Sequence, residues 1–150
     1  MGKQNSRPPA SAARYWRVMT RENVTTVRLA VAALNERDVD AYLACCVDDV
    51  EIQTPLSPVE GAYRGTTGIR RFFSDIASTG SDFRVEIERI QALGSDRVLT
   101  LMRITASGRE SGVDMGAETA NVYDLIEGKI KTIAIYLNRE DGRRAAGLAD

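Results

Sequence analysis

Acid–base chemistry in this chain falls to Asp, Glu, Tyr, Lys and Arg, because its 150 residues include no histidine. That removes histidine-assisted serine and cysteine nucleophiles, histidine bases and histidine metal ligands. Cys45 and Cys46 are adjacent, too close for an ordinary disulfide or a zinc site of the usual spacing. Two small buried thiols are the expected reading. Arg103 is a charge inside an otherwise apolar strand over 97–106, a place from which a guanidinium holds a carboxylate or a developing oxyanion. Glu118 has two readings. It is an acid–base group whose pKa an apolar cavity raises toward neutrality, or it is the structural partner of Arg103 in a cross-strand ion pair. No metal, nucleotide or flavin motif is present, so neither a metal nor a cofactor is expected.

The elements that must position these groups follow from hydrophobic spacing. Val24, Val27, Val31 and Leu34 form one stripe of an amphipathic helix from Asn23 onward. Asp38 is placed to cap a second short helix carrying Val39, Tyr42, Leu43 and Cys46. Val50, Ile52 and Thr54 alternate with Glu51 and Gln53 as a half-buried strand, which Pro55 and Pro58 close with a loop. Thr66 opens a third helix with Ile69, Phe72, Phe73 and Ile76 inside. Past Gly80 the period becomes two. Phe83, Val85 and Ile87 alternate with charges, and a phase slip before Ile90 predicts a bulge. Gly94-Ser95-Asp96, residues 107–112 and Glu127-Gly128 punctuate three further strands as hairpins. Residues 139–149 read as a short, charged closing helix. Helices segregated from a strand meander mean an α+β architecture with the helices on one face of a curved sheet. Strand 97–106 is apolar on both parities, which predicts a covered outer face and, through it, a homodimer.

Composition sets the outer limits. Apolar residues make up 43% and charged residues 27%, the balance of a globular chain long enough for one domain. Twenty basic and 21 acidic side chains leave a net charge of −1, so no global field draws the chain to nucleic acid or anionic lipid. No apolar run is long enough to cross a membrane, and the first eighteen residues lack a signal core, so a cytoplasmic location is expected. Lys3, Arg7, Arg14 and Arg17 make residues 1–18 a basic, flexible arm, with residues 19–150 as the domain. Met19-Thr20-Arg21-Glu22 reads as a second start.

The run Glu22-Asn23-Val24, then residues 32–41 (AALNERDVDA), then Asp48-Asp49-Val50-Glu51 resembles the opening of the SnoaL-like group. That group belongs to the superfamily with the nuclear-transport-factor-2 and ketosteroid-isomerase fold. Tyr63-Arg64-Gly65 into Gly68-Ile69-Arg70-Arg71-Phe72-Phe73 and Gly128-Lys129-Ile130 into Tyr136-Leu137-Asn138 match its later landmarks. The resemblance covers about residues 20–148. It implies a conical barrel of strongly curved, mainly antiparallel sheet on three N-terminal helices, with a short C-terminal helix, an apolar pocket and commonly a dimer through the sheet. Members range over isomerases, polyketide cyclases, hydrolases, dehydratases and non-catalytic modules, and fold alone does not choose among them.

Position by position, the best-known catalytic sets are missing. The isomerase tyrosine falls on Ala30, its base on Thr54 and its protonated aspartate on Ala120. Of the epoxide-hydrolase set, an arginine matches Arg103, but the aspartates fall on Thr105 and Ile135. Dehydratases of this fold lean on histidines. For the cyclases' meander carboxylate, Glu118 or Asp114 approximates the place. In the isomerase register the pocket is lined by Ile52, Thr54, Glu118, Ala120, Val122, Ile133, Ile135 and Leu137, with Asn121 turned toward an interface. The surface is mainly aliphatic and implies an apolar small-molecule ligand. The resulting expectation is a SnoaL-like pocket protein. It is either a cofactor-independent isomerase or cyclase, with Glu118 as acid or base and Arg103, helped by Thr54, on the oxyanion, or a non-catalytic binding or assembly module.

Overall fold

In the computed structural model, which describes residues 10–78, 82–107 and 114–148, a long helix α1 (Ala10–Asn35) leads into a short α2 (Val39–Ala44) and strand β1 (Cys46–Gln53). A single helical turn α3 (Ser57–Glu60) and a two-residue strand β2 (Tyr63–Arg64) precede α4 (Gly65–Ala77). Four strands follow, β3 (Arg84–Leu93), β4 (Arg97–Ser107), β5 (Asp114–Ile126) and β6 (Lys129–Tyr136), and α5 (Arg139–Ala145) closes the chain. The strands form one sheet in the order β2-β1-β6-β5-β4-β3. Every neighbouring pair is antiparallel except β1 with β6, which is parallel. The result is the expected α+β cone: a curved, open sheet whose concave face holds α1, α2 and α4.

Local chemistry sets the joints. Asp38 caps α2 by accepting from the Ala41 amide at 3.0 Å. Glu127 and Gly128 both take positive φ at the β5–β6 hairpin, the geometry of a two-residue turn with both central residues left-handed. The register of β3 shifts between Ile87 and Arg89, so the expected bulge is present. Asn35, at the end of α1, behaves like an edge strand: its amide donates to the Val85 carbonyl and accepts from the Val85 amide, both at 2.8 Å. The main core lies between helices and sheet, where Val27, Val50, Ile52, Ile69, Ile130 and Ile133 are essentially inaccessible. Each such side chain contributes about 1.5–3 kcal/mol by leaving water.

Several boundaries differ from the sequence reading. Residues 10–18, assigned to the arm, are helical, because Ala10-Ser11-Ala12-Ala13 suit a helix and no proline interrupts them before α1 is under way. Residues 1–9 lie outside the described residues. Cys46 opens β1 rather than ending α2, and Asp48 and Asp49 sit exposed within that strand. Arg64, not Thr66, holds the cap position of α4, with no side-chain cap. The 107–112 hairpin falls largely outside the described residues.

The doubly apolar strand has a cover within the same chain. Leu99 of β4 with Ala120 and Val122 of β5 form a second cluster on the convex face, packed against Ala146 and Leu148 just beyond α5. Gly142 of α5 lies so close to Ala120 that a Cβ there would overlap the Ala120 methyl. The apolar outer parity therefore calls for α5, and it no longer argues for a second copy of the chain.

Candidate functional site

Between helices and sheet lies a partly open cavity with about 60 Å³ of space for the centre of a water molecule. Ala30, Val31 and Leu34 of α1, Tyr42 of α2, and Phe72 and Ile76 of α4 form one wall. The sheet supplies Ile52, Met102, Ile133 and Ile135, and along β5 it adds Thr119, Asn121 and Tyr123. Phe72 and Phe83, both half-buried, complete the lining, and Phe83 is held by a residue that is not part of it. The Arg37 guanidinium donates to the Phe83 carbonyl at 2.6 Å and lies 5.5 Å over its ring.

Among the described residues, no charged side chain lines this cavity. Its titratable groups are phenols, and both stay protonated. Burial drives the Tyr42 hydroxyl well above its ordinary range. Burial likewise pushes Tyr123 up to about 12, although the neighbouring Asn121 and Thr100 side chains offset part of that rise. The thiols beside Tyr42 are inert for the same reason. Cys46 is pushed up to about 12 by burial, and its Sγ donates to the Tyr42 carbonyl at 3.3 Å. Among the described residues, Thr100 Oγ1, Thr119 Oγ1 and Asn121 Oδ1 on this side of the sheet find no hydrogen-bond partner of good geometry.

The residues expected to share one pocket are divided among three places. Ile52, Ile133 and Ile135 line the cavity as expected. Ala120 and Val122 do not. They lie on the convex face in the cluster under α5, and Asn121, expected at an interface, faces the cavity between Thr119 and Tyr123. The parity of β5 over 118–123 is the reverse of the expected one, since successive side chains in an unbulged run of strand point to opposite faces. The counterpart assigned to the isomerase aspartate is therefore on the wrong face, and its cavity-side neighbours Thr119 and Asn121 are not acids either.

Glu118 and Arg103 stand opposite one another in the β4–β5 ladder, also on the convex face. Arg103 donates to Glu118 at 2.9 Å and to Glu88 at 3.1 Å. Arg139, at the start of α5, donates to Glu88 and to the Met102 carbonyl, with Glu118 3.9 Å away. The hydrogen bonds from Arg139 and Arg103 hold the Glu88 carboxyl below its usual range. This is the cross-strand pair, enlarged to four charges that tie α5 to the sheet. Thr54 and Leu137 border a separate surface groove with Pro55, Pro58 and Tyr136. There the Thr54 hydroxyl accepts from the Leu56 amide at 3.1 Å and shapes the turn, while Leu137 is 65% exposed.

Sequence reasoning passed over Thr119, Tyr123, Phe72 and Phe83 as ligand contacts. One signal for the face was available. Arg103 shares a parity with Leu99 and Leu101, and a lone arginine does not point into a closed apolar chamber. Its partner strand must then turn Thr119, Asn121 and Tyr123 inward.

A curved sheet over three helices, enclosing a small apolar chamber, is the nuclear-transport-factor-2-like fold. The sequence profile of the SnoaL-like domain matches residues 27–133, and the chain belongs to that family. No curated protein matches the sequence. Solved structures similar to it include an NTF2-like protein of unknown function from Burkholderia pseudomallei, 20% identical with a TM-score of 0.68, covering 82% of this chain and 95% of that one. Another is a putative SnoaL-like polyketide cyclase from Jannaschia sp. CCS1, 15% identical with a TM-score of 0.68, covering 89% and 90%. A third is TerC co-crystallised with polyporic acid, 16% identical with a TM-score of 0.69, covering 84% and 98%. At these identities the likeness concerns the fold. Among the described residues no helix is long and apolar enough to cross a membrane, and no group of side chains has the makings of a metal site.

Proposed function

We propose that this SnoaL-like chain is a small-molecule binding protein whose cavity holds a compact, uncharged, mainly apolar ligand without performing acid–base chemistry on it. The observation that carries the reading is the lining: aliphatic and aromatic walls, a few neutral polar groups and no carboxylate, amine or guanidinium. A general base needs a pKa near the working pH, and among the described residues the cavity groups that titrate, Tyr42 and Tyr123, are pushed far above it. The isomerase or cyclase reading required Glu118 in the chamber, and Glu118 is on the other face of the sheet. Support of a coarser kind comes from the fold's company, in which TerC was crystallised with polyporic acid and a relative in shape is a putative polyketide cyclase. The chamber is small. Its 60 Å³ compares with roughly 150 Å³ for an apolar cavity that holds benzene, so a ring-sized ligand enters by displacing Phe72 or Phe83.

Native mass spectrometry of the freshly purified chain, followed by identification of the released molecule, is the test. A bound organic molecule is expected, lost in an Ala30→Leu variant whose added carbons fill the chamber from α1. Ala30 is 1% exposed and faces it. Recovery of the ligand in chemically altered form after incubation with the protein would overturn the non-catalytic reading. Retention of the ligand by Ala30→Leu would remove the cavity from the account.

A further inference from the structure

The inner face of β5 carries a polar row across an otherwise apolar chamber. Thr119, Asn121 and Tyr123 follow at every second residue. Thr100 of β4 pairs with Asn121 in the ladder, and Met102 pairs with Thr119. Thr119 is 1% exposed, yet among the described residues its Oγ1 has no hydrogen-bond partner, and neither has Asn121 Oδ1. Leaving such groups unpaired in an apolar setting costs more than a hydrogen bond returns, so their retention points to a partner that enters the chamber. The amide of Asn121 lies beside the Tyr123 hydroxyl, which leaves Oδ1 as an acceptor. The Thr119 hydroxyl is both donor and acceptor. Side chains two residues apart on one face of a strand stand about 6.6 Å apart. One oxygen atom making two hydrogen bonds of about 2.8 Å joins atoms at most about 5.6 Å apart, so it reaches both groups when the longer Asn121 side chain leans along the strand toward Thr119.

We propose that Thr119 and Asn121 together recognise a single hydroxyl group, so that the cavity selects a neutral alcohol or phenol over its hydrocarbon and carboxylate counterparts. The ligand hydroxyl donates to Asn121 Oδ1 and accepts from Thr119 Oγ1, while its carbon skeleton lies against Ile52, Ile133, Ile135 and Phe72. A carboxylate is rejected because no cation lines the chamber to pair with it. The inference rests on the reading of the cavity as a ligand chamber and specifies the chemistry of its guest.

Phenol and toluene differ only in a hydroxyl against a methyl, and titration calorimetry of the full chain with each, and with benzoate, isolates the polar pair. In an apolar cavity without polar contacts toluene wins, because phenol must shed its water. Here phenol is expected to bind at least as tightly as toluene, and benzoate not at all. In Asn121→Leu the phenol-to-toluene affinity ratio is expected to fall at least tenfold, with toluene binding retained. Thr119→Val, nearly identical in shape, is expected to move the ratio the same way and guards against misfolding of the first variant. Toluene binding with a ratio that neither substitution changes overturns the hydroxyl site alone. Benzoate binding as well as phenol overturns the selection for neutral guests. Failure of both phenol and toluene to bind the unaltered chain overturns the ligand-chamber reading and this proposal with it.

Discussion

Arg103 and Glu118 face each other across β4 and β5 with side chains 43% and 49% exposed, and that exposure fixes what they are worth. An ion pair in contact with water contributes about 0–1 kcal/mol. Glu118→Gln is accordingly expected to shift the urea midpoint by less than about 1 kcal/mol of stability and to leave ligand occupancy, read by native mass spectrometry, untouched. Loss of the ligand would return Glu118 to the site. The buried hydroxyl and thiol are a different matter. Cys46 and Tyr123, with ordinary values of 9.0 and 10.0, are both pushed up to about 12 by burial. A raised folded-state pKa means that the folded chain holds these protons more tightly than the unfolded one. Their contribution to stability is complete below about pH 9 and is lost as pH climbs toward 12. The urea midpoint is expected to fall between about pH 9 and about pH 10.5, and to fall less in Cys46→Ala. An equal fall in both chains would mean that other groups govern the alkaline limb. At this scale the sequence was partly misleading. Ala120 and Val122 look like core and Thr119 and Asn121 look like surface. The usual pattern is inverted because a helix covers the outside and a polar row lines the chamber, and such local conflicts concentrate where a protein does its work.

The weight of a single element is clearest in α5. Its seven residues are too few to be stable alone, so it exists by docking: Gly142 against Ala120, Ala146 in the convex cluster, and Arg139 among Glu88, Glu118 and Met102. Gly142→Val places atoms where the Ala120 methyl already is. It is expected to cost about 1–3 kcal/mol and to speed amide exchange around 139–146 ahead of the rest of the chain. Uniform exchange throughout would show that α5 does not act as a separate latch. The existence and order of the long elements were legible from spacing alone, since Val24, Val27, Val31 and Leu34 admit only a helix and Val85 and Ile87 only a strand. The bulge near Ile90 was also legible. What was not legible depended on partners distant in sequence. Cys46 joins β1 because Ile130 lies beside it, and α3 is one turn whose Ser57 hydroxyl accepts from the Thr54 amide.

At the scale of the molecule, the chain is an open cone whose wide space is nearly filled by its own side chains. Family membership was readable from the order of landmarks between Glu22 and Asn138. The cavity's contents were not, because they depend on which face of β5 turns inward. The chamber's wall, too, has a property that only the assembled fold displays. Phe83 lines the chamber, and the residue that holds it, Arg37, has a positive φ of 59° and sits at the turn between α1 and α2, outside the lining. It grips the Leu34 and Phe83 carbonyls together. One wall residue of the chamber is thus held by a side chain that does not itself line it. A change at Arg37 would therefore reshape the chamber's wall while every residue that lines it stays the same.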